Sequence, residues 1–286
     1  MKITQIRNAT IVLEYENQTI LVDPMLAPKG SVPSLKYLTK NRIRNPIVEL
    51  PPNTEELLQK VTHCLITHCQ KGHFDHLDST ATKWLREKNI PVYCADEDLA
   101  YLQGKGLNAQ GLQPTRNNMF LNGRIQLIPC VHGKGLIGKM MAHGYGYFIE
   151  LPDAPTVYLT GDTILTNKVE QFIRSHEPEI TVIPAGGAHF DIGDDIIMGL
   201  NEAIYVGQFS KKWVIANHLE TLDHCPVTRK ALRQEAIKQG IDHRFLIPND
   251  GDTMCFDFSP DSTSRPNISN SEVFGANLVH PNVVQK

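Results

Sequence analysis

Three histidines and one aspartate lie within nine residues of the stretch from Leu65 to Asp78. They are His68, His73, Asp75 and His76, and they follow the apolar run at residues 64–66. Imidazole nitrogens and carboxylate oxygens are ligands that zinc, manganese and iron share. Since the chain has 12 histidines in 286 residues, chance seldom places three of them beside an aspartate. The pattern favours a metal site over a polar loop that is merely rich in histidine.

Flanking elements can hold these side chains at one end of a sheet. The apolar run predicts a strand that ends near His68. Asp78, Ser79 and Thr80 are typical of a helix N-terminus, and WLREKN continues the helical pattern. In α/β sheets, ligands usually bind at the end of the sheet where such loops lie.

Five apolar runs in the chain end on a histidine or an aspartate. These residues are Asp23 after TILV, His68 after LIT, His132 after RIQLIPCV, Asp162 after TVYLTG and His218 after WVIAN. No single run is informative, because polar residues commonly end strands. Together the five would line one rim of a sheet with nitrogen and oxygen ligands.

Composition disfavours several classes of function. The chain is 41% hydrophobic and has a formal charge of −3 without a basic block, which does not favour nucleic-acid binding. No apolar run approaches the roughly 20 residues of a membrane span, and the first residues lack the apolar core of a signal peptide. The six cysteines are scattered without a CxxC pair, so a disulfide framework is not expected. We expect a cytoplasmic protein without a membrane span.

Residues 1–258 have the patterns of a single domain. TIVLEY and TILVDP flank a polar turn and predict a hairpin, and residues 54–112 alternate between helical and strand patterns. Residues 27–52 show no periodicity, which predicts a surface excursion such as a lid or a binding loop. Residues 259–286 are rich in Ser, Asn and Pro and predict an extended or mobile tail, or an arm on a neighbouring subunit.

The order of these motifs resembles that of the metallo-β-lactamase-fold hydrolases. The series is LVD, the histidine cluster, a histidine after a strand, TGDT and a final NH, and it covers about residues 2–258. The segments ITQIRNATIVLEYENQTILVDP, HLETLDHC and IPNDGDT look most like one branch of that superfamily. This branch includes L-ascorbate-6-phosphate lactonase and N-acylphosphatidylethanolamine-hydrolysing phospholipase D.

The resemblance implies an α/β fold, a four-layer αββα sandwich, with two divalent metal ions at one edge. Zinc is the first expectation, and manganese or iron would suit the same ligands. One ion would take His68, His73 and His132, the other would take Asp75, His76 and His218, and Asp162 would bridge them. Asp75 and Asp162 are also the expected catalytic carboxylates. A hydroxide between the ions would attack an ester, a lactone or a phosphodiester.

The first motif departs from the family's spacing. The family has His-x-His-x-Asp-His, whereas here four residues separate His68 from His73. Without a gap, Lys71 falls where the first histidine should be, and a protonated lysine is a poor metal ligand. Either the inserted loop bulges, with Gly72 in a left-handed conformation, and His68 still reaches the metal, or the first site has lost a ligand.

Four further residues are candidates for contacts around the metal or the substrate. Asp23 is a candidate to orient a ligand histidine, or it is a turn residue before proline. His189 follows a strand end, and its alternative role is to cap the next helix. Glu220 and His224 follow His218 in a loop, where they would contact the pocket.

A metal-dependent hydrolase of a small-molecule lactone or ester is the leading prediction. One alternative is a phosphodiesterase, phospholipase D-like or nuclease-like, although the near-neutral charge disfavours long nucleic acid. Another is a scaffold of the same fold that has lost catalysis through its altered first motif. Proteins similar to this one are often multimers, so a homo-oligomer is expected.

Overall fold

Alternating apolar residues in short β-branched runs form two mixed sheets that pack face to face. A computed structural model describes residues 1–38, 40, 42–70, 72–135, 138, 141, 143–257 and 266–269. Lys71 and most of the 259–286 segment lie outside the described residues, as do several residues of the glycine-rich loop at 133–146.

The first sheet has eight strands in the order β15-β14-β1-β2-β3-β4-β5-β6. Their bounds are β1 Lys2–Arg7, β2 Thr10–Tyr15, β3 Gln18–Val22, β4 His63–Leu65, β5 Pro91–Ala95, β6 Asn108–Leu112, β14 Thr253–Cys255 and β15 Asn267–Ser269. The predicted hairpin is confirmed, since β2 pairs antiparallel with β3 and places Leu13 opposite Ile20.

The second sheet has seven strands in the order β13-β12-β11-β10-β9-β8-β7. Their bounds are β7 Asn118–Phe120, β8 Gly123–Pro129, β9 Tyr145–Glu150, β10 Val157–Leu159, β11 Ile180–Pro184, β12 Trp213–Asn217 and β13 Phe245–Leu246. The antiparallel pairing of β9 with both β8 and β10 makes β8 run in the same direction as β10, β11 and β12.

Six helices cover the outer faces of the sheets within the described residues. They are α1 Thr54–Lys60, α2 Ser79–Glu87, α3 Asp96–Gly104, α4 Asn167–His176, α5 Leu200–Phe209 and α6 Arg229–Lys238. The predicted cap of α2 is confirmed, because the Asp78 carboxylate accepts a hydrogen bond from the amide of Ala81 at 2.7 Å. Asn53 makes no side-chain capping bond at the start of α1, and its side-chain amide donates to the carbonyl of Gly251 at 3.3 Å.

Three apolar layers hold the sandwich together. The central layer lies between the sheets and includes Leu13, Tyr147 and Ile215. Two outer clusters lie beneath α2 and α3 on the first sheet, and beneath α4, α5 and α6 on the second. This is the expected α/β architecture, a four-layer αββα sandwich.

Part of the predicted tail pairs with the edge of the first sheet. Within the described segment 266–269, β15 pairs antiparallel with β14 and places Ile268 opposite Met254. The rest of the tail prediction lies outside the described residues, and the domain boundary at residue 258 stays a prediction. Within the described residues, no helix is long and apolar enough to cross a membrane.

Candidate metal centre

One group of possible metal ligands consists of His68, His73 and His132. One nitrogen from each ring lies within 4.8 Å of the others, and all three residues are buried. The Nε2 atoms of His68 and His73 are buried without a hydrogen-bond partner among the described residues. Buried polar atoms normally have a partner, so two unpaired nitrogens facing one small space fit a metal ion.

A second group consists of Asp75, His76, Asp162 and His218, also with ligand atoms within 4.8 Å of one another. Nε2 of His218 lies 3.3 Å from Oδ2 of Asp75. Nε2 of His76 lies 3.6 Å from the same oxygen. Ligands at 2.0–2.2 Å around a tetrahedral ion are separated by about 3.4 Å, and the observed separations are close to that value.

Asp162 lies between the two groups. Its Oδ2 atom is 3.1 Å from Nε2 of His76, 3.4 Å from Nε2 of His218 and 3.7 Å from Nε2 of His132. A single carboxylate oxygen therefore reaches histidines of both groups. This position suits the bridging role that the family resemblance implies.

Burial and mutual charge set the protonation of the cluster. Burial lowers the pKa of His68 well below its ordinary value and also lowers the pKa of His132, so both rings are neutral, as metal ligation requires. Burial alone would raise the pKa of Asp162, but the neighbouring His218 and His76 hold it well below its ordinary value. The bridging carboxylate therefore stays ionised. Burial alone would lower the pKa of both rings, but Asp162 in turn raises it well above the ordinary value, so binding of an ion would displace their protons.

Asp23 and Thr67 orient two of the candidate ligand histidines. Oδ2 of Asp23 lies 3.0 Å from Nδ1 of His76, and the Asp23 carboxylate accepts hydrogen bonds from the amide and the hydroxyl of Thr67 at 2.8 and 2.7 Å. Because the Thr67 hydroxyl donates to Asp23, its oxygen accepts from Nδ1 of His68 at 3.1 Å. Both rings thus present Nε2 to the centre, and Asp23 with His76 forms the carboxylate–histidine arrangement common at metal sites.

The other histidines have partners that sequence patterns did not predict. Nδ1 of His132 donates to the carbonyl of Ile196 at 2.8 Å, and Nδ1 of His73 donates to the carbonyl of Gln70. Nδ1 of His218 lies 3.5 Å from Sγ of Cys225. A carbonyl partner carries no sequence signature, so these contacts depend on the tertiary structure.

His218 adopts a left-handed backbone conformation at the end of β12. Its φ is 57°, as is unusual for a residue with a side chain, and its amide donates to the carbonyl of Asn8 at 3.0 Å. Nδ2 of Asn8 lies 3.3 Å from Nε2 of His218. Asn8 therefore adjoins the second group, although nothing in the local sequence indicated it.

The inserted loop brings His68 into the cluster. Gly72 has a φ of 89°, a conformation that glycine adopts readily, and the rings of His68 and His73 have centroids 4.5 Å apart. Both features agree with the bulged-loop alternative, and binding of a metal by His68 stays a prediction. Lys71 itself lies outside the described residues.

The remaining candidates occupy different places. His224 lines the cavity over the candidate metal ligands, and burial lowers its pKa to about 4. His189 lines a separate cleft, with Nδ1 3.5 Å from Asp195. The carboxylate of Glu220 pairs with Arg229 at 2.9 Å and is absent from the described cavity lining. The cation of Arg229 holds Glu220 away from the pocket.

An apolar cavity opens over both ligand groups. Its volume is about 570 Å³ when the solvent-filled space at its open mouth is included. Its apolar lining is Leu35, Phe74, Met141, Ala188, Phe190 and Ile196. Leu35 comes from the 27–52 excursion, and its amide donates to the carboxylate of Asp223 at 3.1 Å. Part of the predicted binding loop is therefore fixed as a wall of the cavity.

Comparisons with known proteins agree with this fold. The family model described as a beta-lactamase superfamily domain matches residues 2–218. The UPF0173 protein YddR of Bacillus subtilis is 31% identical over 262 residues, which cover 90% of this chain and 100% of that protein. A UPF0173 metal-dependent hydrolase of Xanthobacter autotrophicus is 29% identical over 70% of this chain and 74% of its own length.

A solved structure is similar over nearly its whole length. The isothiocyanate hydrolase from Delia radicum gut bacteria has a TM-score of 0.80 and 33% identity, and the match covers 90% of this chain and 99% of that one. The chain therefore belongs to the beta-lactamase superfamily and, within it, to the UPF0173 family of metal-dependent hydrolases. The finer resemblance to the lactonase and phospholipase branch stays a prediction.

Proposed function

We propose that the chain is a hydrolase with two metal ions that acts on a small, uncharged substrate with an electrophilic carbon, of the isothiocyanate class. The observation that carries this proposal is the apolar cavity directly over the two ligand groups. When bound, divalent ions lower the pKa of water, so that a hydroxide nucleophile exists near neutral pH. His68, His73 and His132 would hold one ion, Asp75, His76 and His218 the other, and Asp162 both.

The cavity lining supports an uncharged substrate. Apolar side chains such as Phe74, Phe190 and Ile196 form much of the wall, and the described lining contains no lysine or arginine. The rings of Phe190 and His224 stack at 5.9 Å with an interplanar angle of 18°. An apolar substituent would be buried against these side chains.

Asp75 would orient the attacking water. Burial alone would raise the pKa of this carboxyl, but His76 and His218 lower it far below its ordinary value. Asp75 therefore remains a hydrogen-bond acceptor at neutral pH, and it lines the cavity. Its partner Asp162 stays ionised beside both groups, so the two carboxylates can place the nucleophile under the substrate.

The similarity to an isothiocyanate hydrolase supports the substrate class. In such a reaction, water adds its oxygen to the central carbon of R–N=C=S, and both its protons end on nitrogen as the C–N bond breaks. The products are an amine, RNH₂, and carbonyl sulfide, which balances all atoms. The lactone or ester predicted from the sequence needs the same nucleophile and stays a prediction, as do a homo-oligomer and a cytoplasmic location.

Metal analysis and a substrate panel test the proposal together. Protein reloaded with zinc or with manganese is analysed for ions per chain and is assayed with an alkyl isothiocyanate, a lactone, a carboxylic ester and a phosphodiester. We expect two ions per chain and turnover of the isothiocyanate that Asp162→Ala abolishes. Two ions with turnover of the lactone or ester alone would overturn the substrate class. One ion or none would overturn the binuclear centre.

A further inference from the structure

The inserted loop between His68 and His73 is tied to helix α3 through the side chain of Gln70. Nε2 of Gln70 donates to Oδ1 of Asp98 at 2.7 Å and to the carbonyl of Glu97 at 3.2 Å. Both acceptors lie in the first turn of α3. The loop is thus anchored to a rigid element outside the metal cluster.

The backbone of Gln70 holds His73. Its carbonyl accepts hydrogen bonds from Nδ1 of His73 at 2.5 Å and from the His73 amide at 3.3 Å. The proton on Nδ1 leaves Nε2 as the lone-pair nitrogen, and this Nε2 is buried without a partner among the described residues. The position of the Gln70 carbonyl therefore sets both the tautomer and the direction of this ligand.

Asp98 links the inserted loop to the loop that follows His132. Its side chain is fully buried, and Oδ1 also lies 3.2 Å from Nε2 of His143. A buried carboxylate is costly unless it is partnered, so Asp98 favours the arrangement in which Gln70 and His143 both reach it. The two loops that extend from the first ligand group meet at this carboxylate.

From these contacts we infer that Gln70 and Asp98 are positioning residues for the first ligand group, His68, His73 and His132. The inference rests on the proposed two-ion centre. The lengthened spacing between His68 and His73 would leave the loop free to move, and the bonds from Gln70 to α3 remove that freedom. Removal of either Gln70 or Asp98 should lower the affinity for the ion of this group and leave unchanged the affinity for the ion held by Asp75, His76 and His218.

Exchanging the amide of Gln70 with the carboxylate of Asp98 distinguishes a positioning effect from a general loss of folding stability. Gln70→Ala removes the anchor, and Gln70→Glu places a carboxylate against that of Asp98. Gln70→Glu combined with Asp98→Asn restores a donor and an acceptor in reversed order. Asp96→Asn is the matched control, since Asp96 is an exposed aspartate in the same turn of α3.

The affinity of each ion is measured by competition with a chromophoric zinc chelator, alongside thermal unfolding of the metal-free proteins. We expect Gln70→Ala and Gln70→Glu to lower the affinity for one ion by about 10–100-fold. The affinity for the other ion should equal that of the wild type within error. The double variant should recover most of the loss, and Asp96→Asn should match the wild type.

Wild-type affinity for both ions in Gln70→Ala would overturn the inference. Equal weakening of both ions, together with a lower unfolding temperature of the metal-free protein and no recovery in the double variant, would also overturn it. A wild-type chain that binds a single ion would contradict the two-ion proposal instead. In that case, weakening of the single ion by Gln70→Ala would uphold the positioning role, and unchanged affinity would refute it.

Discussion

Asp23→Asn tests whether the centre depends on the residues that orient its histidines. The Asp23 carboxylate receives three contacts, from Nδ1 of His76 at 3.0 Å and from the amide and hydroxyl of Thr67 at 2.8 and 2.7 Å. Asparagine keeps the size of the side chain and tolerates the left-handed backbone at this position, where φ is 46°. Its NH₂ group, however, would face a donor from His76 or Thr67.

Metal affinity should fall by about 10–100-fold, the usual cost of losing the partner of a metal-bound histidine. At about 1.4 kcal/mol per tenfold change, this is about 1.4–2.8 kcal/mol. The loss should concentrate on the ion held by His76, and competition with a chromophoric chelator measures it. Asp153→Asn is the control, because Asp153 is exposed and also left-handed, with a φ of 50°. Unchanged affinity for both ions in Asp23→Asn would refute the orienting role of this carboxylate.

Three further substitutions probe the bridge, the cavity wall and the scaffold. Asp162→Ala should weaken both ions, because its Oδ2 contacts histidines of both groups; elemental analysis that still found two tightly held ions would contradict the bridge. Phe190→Ala should raise KM for an apolar substrate by about tenfold or more with little change in kcat, and an unaltered KM would remove Phe190 from the substrate site. Arg229→Ala should lower the free energy of unfolding by about 3–5 kcal/mol, because the buried guanidinium pairs with Glu220 and Asp250. Urea unfolding measures that loss, and kcat/KM per folded molecule should not change. A fall in kcat/KM would instead indicate that Glu220 contributes to the pocket.

Local patterns predicted the elements that carry the ligands. The β2–β3 hairpin, the cap at Asp78 and the strands that precede His132, Asp162 and His218 all depend on residues close in sequence. Apolar alternation and side-chain caps act over a few residues, so the sequence shows them directly. The prediction that all five strand ends lie on the rim of one sheet was wrong. Asp23 and His68 follow strands of the first sheet, whereas His132, Asp162 and His218 follow strands of the second, and the two sheets meet at this edge because they pack face to face.

Edge strands and polar partners were harder to predict. β6 and β7 have the sequences NAQGL and NMF, which lack a clear apolar alternation, and they form because a neighbouring strand offers its backbone groups.

Glu220 follows His218 closely in sequence, yet its ion pair with Arg229 keeps its carboxylate out of the described cavity lining. Charge pairing between separate loops decided its place.

The sequence by itself determined the family, the sandwich architecture and the set of side chains that can bind metal. Only the tertiary structure decided how those side chains are held and what lies above them. The partners of the ligand rings include the carbonyls of Gln70 and Ile196, and any residue type can supply a carbonyl. The cavity wall combines Leu35, Phe74 and Phe190 from three loops far apart in the chain. Their meeting depends on how the two sheets pack, because no short-range pattern encodes a contact between distant loops.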